Sequence, residues 1–294
     1  MEKIGIVTVL YNSESVLDDF FRTLEAQTYR NFVLYVIDNN STDASLAKCI
    51  QLSDNVSFET KIFPEKTNWG VAKGNNIGII NALADSCDYV LLSNNDIVLE
   101  KDTIQNLYDG MKKMNASMAV PKIYFYGSNL IWAAGGYFSY FKGSTPHIGY
   151  MQIDHGQFDV SRTIDFAPTC FMLIRAEVFH KVGLMDEKFF VYFDDSDFVW
   201  RAVKGASLRL AYIPTSLLQH KESACTGGSR SDFSIFYFAR NQRYFIRKNM
   251  KFPQKQLSLL YSSLHSLLIK SRRLSKGQYM ILRQAIAASN KMGN

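Results

Sequence analysis

The sequence predicts an α/β fold on a mostly parallel sheet with helices on both faces, and two observations carry this. Over the first hundred residues, apolar runs rich in β-branched and aromatic side chains alternate with segments of helical period. That βαβα order is the mark of parallel strands joined by crossover helices. Most of the runs also stop in Asn and Asp, on the edge where such sheets bind ligands.

Taken in order, Ile4 to Leu10 reads as the first strand, followed by Val16, Leu17, Phe20, Phe21 and Leu24 on one helical face. Phe32 to Ile37 is the second strand, and in "NNSTDAS" Ser41, Thr42 or Asp43 can cap the next helix. Val56 to Phe63 and Asp88 to Leu92 complete the series. From about Pro121 to Ile164, short alternating runs such as "LIWAAGGYFSYF" predict hairpins laid against the sheet rather than another βα unit. "TCFMLIRAEVF" then supplies one more buried strand and a short helix.

With 294 residues and 47% apolar content the chain buries one large core or two modest ones. No signal peptide is read at the N-terminus and no apolar run reaches bilayer-spanning length. Cys49, Cys87, Cys170 and Cys225 lie far apart without a CxxC pair, and are expected to be reduced packing residues in a cytoplasmic protein. The net charge of +6 is unevenly spread. Twelve of the 33 basic residues, and no acidic one, fall in 233–294, which leaves 21 basic against 27 acidic in the first 232 residues.

Three polar strand ends converge on the predicted rim: Tyr11-Asn12, Asp38-Asn39-Asn40 and Ser93-Asn94-Asn95-Asp96. Asn and Asp also end strands and cap helices in any protein, so it is the coincidence of three that points to a site. Asp96, flanked by amides that cannot neutralise it, calls for a hard divalent cation bridging to a phosphate. His220, after another strand-like run, is a candidate second ligand. In "EKFFVYFDDSDFVWRAVKGA", Asp194, Asp195 and Asp197 exceed what capping and the helix dipole require. Crowded carboxylates raise one another's pKa and make a general base near neutral pH, while Arg201, one turn on, is placed to pair with Asp197. "NWGVAKGNNIGI" is neither a dinucleotide fingerprint nor a P-loop. Its glycines at 70, 74 and 78 bare one strip of helix for close approach by a ligand or another element, and Asn75 and Asn76 in the same helix are harder to explain by packing.

Together these segments, with "VTVLYNSESVLDDFFRTLEAQTY", "VIDNNSTDAS", "LLSNNDIVLE", "CFMLIRAEVFHKVGLMDEKFFVYFDDSDFVWR" and "FYFARNQRYFIRKN", resemble the inverting family 2 glycosyltransferases of GT-A fold, nearest their bacterial rhamnosyltransferase-like branch. The resemblance covers about Ile4 to Asn249. It implies a Rossmann-like GT-A catalytic domain, read as 1–232 with a donor-binding half to about residue 120 and an acceptor half over about 121–232, while the charge distribution sets off a basic helical extension over 233–294. It implies that Asp38 accepts the pyrimidine N3–H of a nucleotide sugar, with Tyr11, Asn12 and Asn40 near base and ribose and Asn75 and Asn95 along the donor pocket. Asp96 and His220 would hold Mg2+ or Mn2+ on the diphosphate. Asp195 would be the general base, with Asp194 and Asp197 supporting the acceptor side. The reading matches dTDP-rhamnose or a UDP-hexose as donor and a saccharide or lipid-linked acceptor. Two departures from the family pattern stand out: the metal motif reads Asn94-Asn95-Asp96, without its first carboxylate, and the usual Glu-Asp pair is Asp194-Asp195.

Two other classes are weighed. A nucleotidyltransferase needs a basic glycine-rich loop near the first strand, which "VLYNSES" lacks; a non-catalytic sugar-nucleotide-binding scaffold has no need of the Asp194-Asp195-Asp197 cluster. In the tail, Leu257, Leu260, Tyr261, Leu264 and Leu268 recur at helical spacing, flanked by Lys251, Lys255, Lys270, Arg272, Arg273 and Lys276. Such a helix suits the anionic inner face of a membrane, a seat on the catalytic domain, or its copy in a homodimer. No aromatic-basic RNA motif accompanies the charge, so nucleic acid is not an expected partner.

Overall fold

The computed structural model describes residues 2–222, 231–272 and 274–293. Cys225, Arg273 and the side chains of Leu268, Lys270 and Arg272 lie outside the described residues. Three parallel strands form first: β1 (Ile4–Leu10), β2 (Phe32–Asp38) and β3 (Glu59–Pro64), with α1 (Leu17–Glu25) and α2 (Ser45–Ser53) as crossovers. The N-cap of α2 is Ala44 rather than one of the three expected caps, though Asp43 just before it accepts from Ser45 N–H at 3.0 Å. Next come α3 (Gly70–Ala84), β4 (Tyr89–Ser93), β5 (Ile97–Leu99) and α4 (Thr103–Lys113).

Both faces of β1 and β2 are covered, so their side chains alternate between two cores. Ile4, Ile6, Leu34 and Val36 face a core closed by Leu17, Phe20, Phe21 and Leu24 of α1. Val7, Val33, Tyr35 and Ile37 face the other, with Ala72, Ile79 and Ala82 of α3. Phe20 and Phe21 are buried; truncating either to Ala removes roughly 3–5 kcal/mol. The bare strip of α3 serves this packing. A Cβ at Gly74 would come within 2.9 Å of Val9, and one at Gly78 within 2.3 Å of Val7, so glycine is what lets α3 lie close on β1.

The second half contains β6 (Met118–Phe125), β7 (Ile131–Ala133), β8 (Arg162–Ile164), β9 (Phe171–Arg175), α5 (Ala176–Val182), α6 (Asp194–Trp200) and β10 (Leu210–His220). The sheet order is β3-β2-β1-β4-β9-β6-β10-β5, with β7 on β6 and β8 on β10. β9 runs antiparallel between β4 and β6, while β6 and β10 are parallel. The segment from Pro121 was expected to be hairpins, yet Pro121 and Lys122 lie inside a sheet strand. Pro121 pairs with Ile213 where the register breaks between Ile213 and Leu217, the kind of irregularity that tolerates a missing N–H. Lys122 is buried with its ammonium 2.8 Å from Asp154 and bonded also to Asp159. A hairpin does follow, through the bridges Gly136↔His147 and Ser139↔Ser144.

The chain ends in α7 (Asp232–Asn249), α8 (Gln254–Arg272) and α9 (Lys276–Asn290). The boundary expected after residue 232 does not describe α7: its Tyr244, Phe245 and Ile246 sit in the same core as Val7 and Phe198. α9 packs on α7 through buried Leu282 and Ala285, and Arg247 bonds Asn290 Oδ1 at 3.2 Å. α8 is different, since Leu257, Leu260 and Leu264 remain 49%, 57% and 51% exposed. These three leucines do not seat on the catalytic domain, whereas Tyr261 of the same stripe meets the Phe141 ring at 4.9 Å in a tilted arrangement.

Candidate active site

Because β1, β2 and β4 are parallel, with Leu10 opposite Asp38 and Val7 opposite Leu92, their carboxyl ends share one rim. The polar run after β4 is distributed along it. Ser93 Oγ donates to Asn94 O, Asn94 N–H to Cys170 O at 2.7 Å, and Asn95 Nδ2 to Val9 O at 2.8 Å, which ties the turn to β1 and β9. The antiparallel register of β5 on β10 pairs Ile97 with His220. His220 Nε2 therefore lies 3.1 Å from Asp96 Oδ1 and 3.5 Å from Asn94 Nδ2.

A cavity of about 540 Å³ opens over this rim, lined by Tyr11, Asn39, Asn75, Asn95, Asp96 and Phe233 among others. A second, of about 500 Å³, is lined by Trp132, His147, Asp194, Asp195, His220 and Phe238 among others. Val71, Asn94, Thr169 and Val191 line both, so the two are halves of one cleft. Cys170 lies at the seam: burial, helped by the charges of Asp96 and Asp195 among others, pushes its thiol well above its ordinary pKa.

In the second half, burial raises both Asp194 and Asp195 above the ordinary carboxylate range. Asp194 also faces the charge of Asp195. Asp195 is held down in part by Ser196, whose N–H donates at 2.6 Å and Oγ at 3.1 Å. The pair follows two consecutive left-handed residues, Tyr192 (φ 62°) and Phe193 (φ 66°), costing about 1–2 kcal/mol each for side chains of this size. Such strain is held by its surroundings and concentrates at functional sites.

The remaining expected residues divide. Asp38 is buried beneath the rim and, like the two residues that follow, lines neither half; its Oδ2 accepts from Ser41 N–H at 3.3 Å and its Oδ1 has no hydrogen-bond partner among the described residues. Asn12 (φ 52°) and Asn40 (φ 61°) are exposed and line neither half. Asn12 Oδ1 accepts from Thr42 N–H at 2.8 Å, which links the loops after β1 and β2. Asp197 is fully buried away from both halves, accepting from Arg201 Nε at 2.9 Å, Lys248 Nζ at 2.8 Å and Asn249 Nδ2 at 2.9 Å. It anchors α6 to the end of α7 and does not touch the cleft. Asn76, too, is structural: its amide exchanges two hydrogen bonds of 2.9 Å with the backbone of Met185. Phe190, Phe233, Phe238, Trp132 and His147 are cleft residues that no spacing in the sequence announces.

Asp96 and His220 offer one carboxylate oxygen and one imidazole nitrogen side by side. Among the described residues no cluster of three or more His, Cys, Asp or Glu could cage an ion. A two-donor set facing a cavity fits Mg2+ or Mn2+ that takes its other ligands from a diphosphate and water.

Comparison with known proteins now gives the class. The solved structure of Staphylococcus aureus TarS 1-349 in complex with UDP-GlcNAc superposes with a TM-score of 0.66, covering 98% of this chain and 80% of that one at 15% identity. The curled, mostly parallel sheet with flanking and C-terminal helices is the GT-A fold of glycosyltransferases. Residues 5–183 match the family described as "Glycosyl transferase family 2", and the chain belongs to that family. It is similar to the low-salt glycan biosynthesis hexosyltransferase Agl10 of Haloferax volcanii, 23% identical over 91% of this chain and 82% of the relative. It is also similar to the N-acetylglucosaminyl-diphospho-decaprenol L-rhamnosyltransferase of Mycobacterium tuberculosis, 24% identical over 76% and 78%.

Proposed function

We propose that the chain is an inverting glycosyltransferase moving a sugar from a pyrimidine nucleoside diphosphate, dTDP-rhamnose or a UDP-hexose, to a hydroxyl of a saccharide or lipid-linked acceptor in cell-surface glycan synthesis. The observation that carries it is the single cleft with Asp96 in one half and Asp195 in the other. Asp38, its buried Oδ1 unpartnered among the described residues, is suited to accept the N3–H of uracil or thymine. Tyr11, Asn75 and Asn95 border the sugar nucleotide. Asp96 and His220 would hold Mg2+ or Mn2+, whose charge would offset that of the diphosphate. Asp195 takes the proton of the acceptor hydroxyl as its oxygen bonds the anomeric carbon, and the electron pair of the sugar–phosphate bond leaves with the nucleoside diphosphate. Attack from the face opposite the leaving group inverts the anomeric centre. Incubating the protein with individual nucleotide sugars, Mn2+ and candidate acceptors tests this. Release of UDP or dTDP with an inverted glycoside supports it; no release from any pyrimidine donor overturns it.

For the acceptor side, the mycobacterial relative's substrate, by its name, is a sugar on diphospho-decaprenol. In this chain the hairpin whose Ser144 and Thr145 line the second half of the cleft carries Phe141, 59% exposed, onto α8 beside the uncovered Leu257, Leu260 and Leu264. Basic residues lie at both ends of that helix and no acidic residue follows Asp232. We therefore propose that α8 rests on an anionic bilayer, each nearby cation contributing about 1 kcal/mol. Flotation with vesicles of phosphatidylglycerol at low salt, lost for Leu260→Glu, is the expected result. A protein that stays at the bottom and runs as a dimer would instead assign the stripe to a second copy. No helix among the described residues is long and apolar enough to cross a membrane.

A further inference from the structure

The stretch "FYFARNQRYFIRKN" in α7 contributes Phe238 to the cleft, yet its Arg240-Asn241 pair touches neither half. Asn241 is fully buried. Its Nδ2 donates to Val191 O at 2.7 Å and to Tyr192 O at 3.0 Å, the carbonyls just before the strained turn into Asp194-Asp195. The amide is oriented from behind, because Arg240 Nε–H donates to Asn241 Oδ1 at 2.8 Å and a guanidinium can only donate. Arg240 is itself fixed by Lys188 O at 3.0 Å and by the Tyr237 ring at 4.7 Å. From the other side, Val71 N–H in α3 donates to Phe190 O at 2.7 Å. Segment 190–193 is thus strung between the donor helix and α7, and two adjacent carbonyls converge on one amide.

We infer that Asn241 is the positioning residue of the general base: its two donated hydrogen bonds hold residues 191–193 in the left-handed turn that presents Asp195 to the acceptor half of the cleft, with Arg240 setting the amide's direction. A residue filling space alone would need no donor, and no arginine to choose its rotamer. This rests on the glycosyltransferase reading above.

The near-isosteric Asn241→Leu removes both donors and tests it. The expected result is a kcat lower by about 10–100-fold, the scale of a small misplacement of a reacting group, with the UDP dissociation constant within twofold of the parent. The acid limb of the kcat profile should move to lower pH, since a loosened turn admits water to the carboxylates. Thermal stability lowered with kcat and its pH profile unchanged would overturn the proposal and leave Asn241 a packing residue. If Asn241→Leu does not fold, Arg240→Met decides on the same readouts, because it frees the amide to rotate while leaving it in place. If the parent transfers no sugar, the glycosyltransferase reading has failed separately. Hydrogen exchange still tests the clamp: faster exchange confined to 190–196 in Asn241→Leu supports it, and exchange equal to the parent's there removes it.

Discussion

His220 Nε2 and Asp96 Oδ1 lie 3.1 Å apart although 124 residues separate them, because β5 pairs antiparallel with the end of β10. The proximity follows from strand register, so it is preformed. His220→Ala should weaken Mn2+ binding in the presence of UDP by about tenfold or more, read by the free Mn2+ resonance signal, and Asp96→Asn should do so more severely because it removes the charged ligand. Unchanged Mn2+ affinity in both variants would separate this pair from any metal.

Asp195→Asn should lower transfer by about 10²–10⁴-fold, the range for a positioned general base, while UDP binding stays near the parent's. A non-catalytic sugar-nucleotide-binding protein would be indifferent to this change.

The pH dependence has a definite sign. The proposed base, Asp195, works ionised, and burial raises its pKa, so kcat should fall on acidification well before an exposed carboxylate would titrate. Ser196→Ala removes the 3.1 Å Oγ bond that favours the ionised form, so its acid limb should lie at higher pH than the parent's. A shift to lower pH would contradict the assigned role of Ser196.

Stability should respond to Asp194 in the opposite sense to an ion-paired carboxylate. Its pKa in the folded state is raised, so its contribution is fully present below the unfolded value and is lost as pH rises through the folded one. Asp194→Asn should therefore raise Tm at pH 8 more than at pH 4, by roughly 2–4 °C for each kcal/mol relieved. A gain confined to acid pH would reverse the argument.

Gly78→Leu should destabilise the fold away from the cleft, since even its Cβ falls 2.3 Å from Val7; overpacking of this kind costs typically 1–3 kcal/mol. Denaturation in urea would show it. Retained stability with lost UDP binding would mean that the glycine strip meets a ligand rather than β1.

β1, β2 and β4 were readable because burial on both faces leaves near-continuous apolar runs, and the family resemblance followed from the same stretches; β3 is a half-exposed edge strand with a mixed pattern. β6 was hidden by Pro121 and Lys122, which belong inside a strand only because of a register break and because Asp154 and Asp159 pair with the buried ammonium. α7 was hidden by its charge: "FYFARNQRYFIRKN" carries four basic residues, and composition assigned it to the tail, while its Tyr244, Phe245 and Ile246 face the core. Asp96, His220 and Asp195 were signalled by excess polarity where apolar runs end. Asn12 and Asp197 carried the same signal for another reason, loop linkage and helix anchoring, which only three-dimensional partners reveal, and Asn40 takes a left-handed turn position.

Since α7 supplies Phe233 and Phe238 to the cleft and continues through buried Met250 into α8, the tail is no detachable address label. Deletion at residue 232 would amputate a wall of the enzyme, whereas a cut after Met250 would spare it. Whatever would dock on the exposed leucines of α8 would meet the cleft at an angle the folded domain dictates.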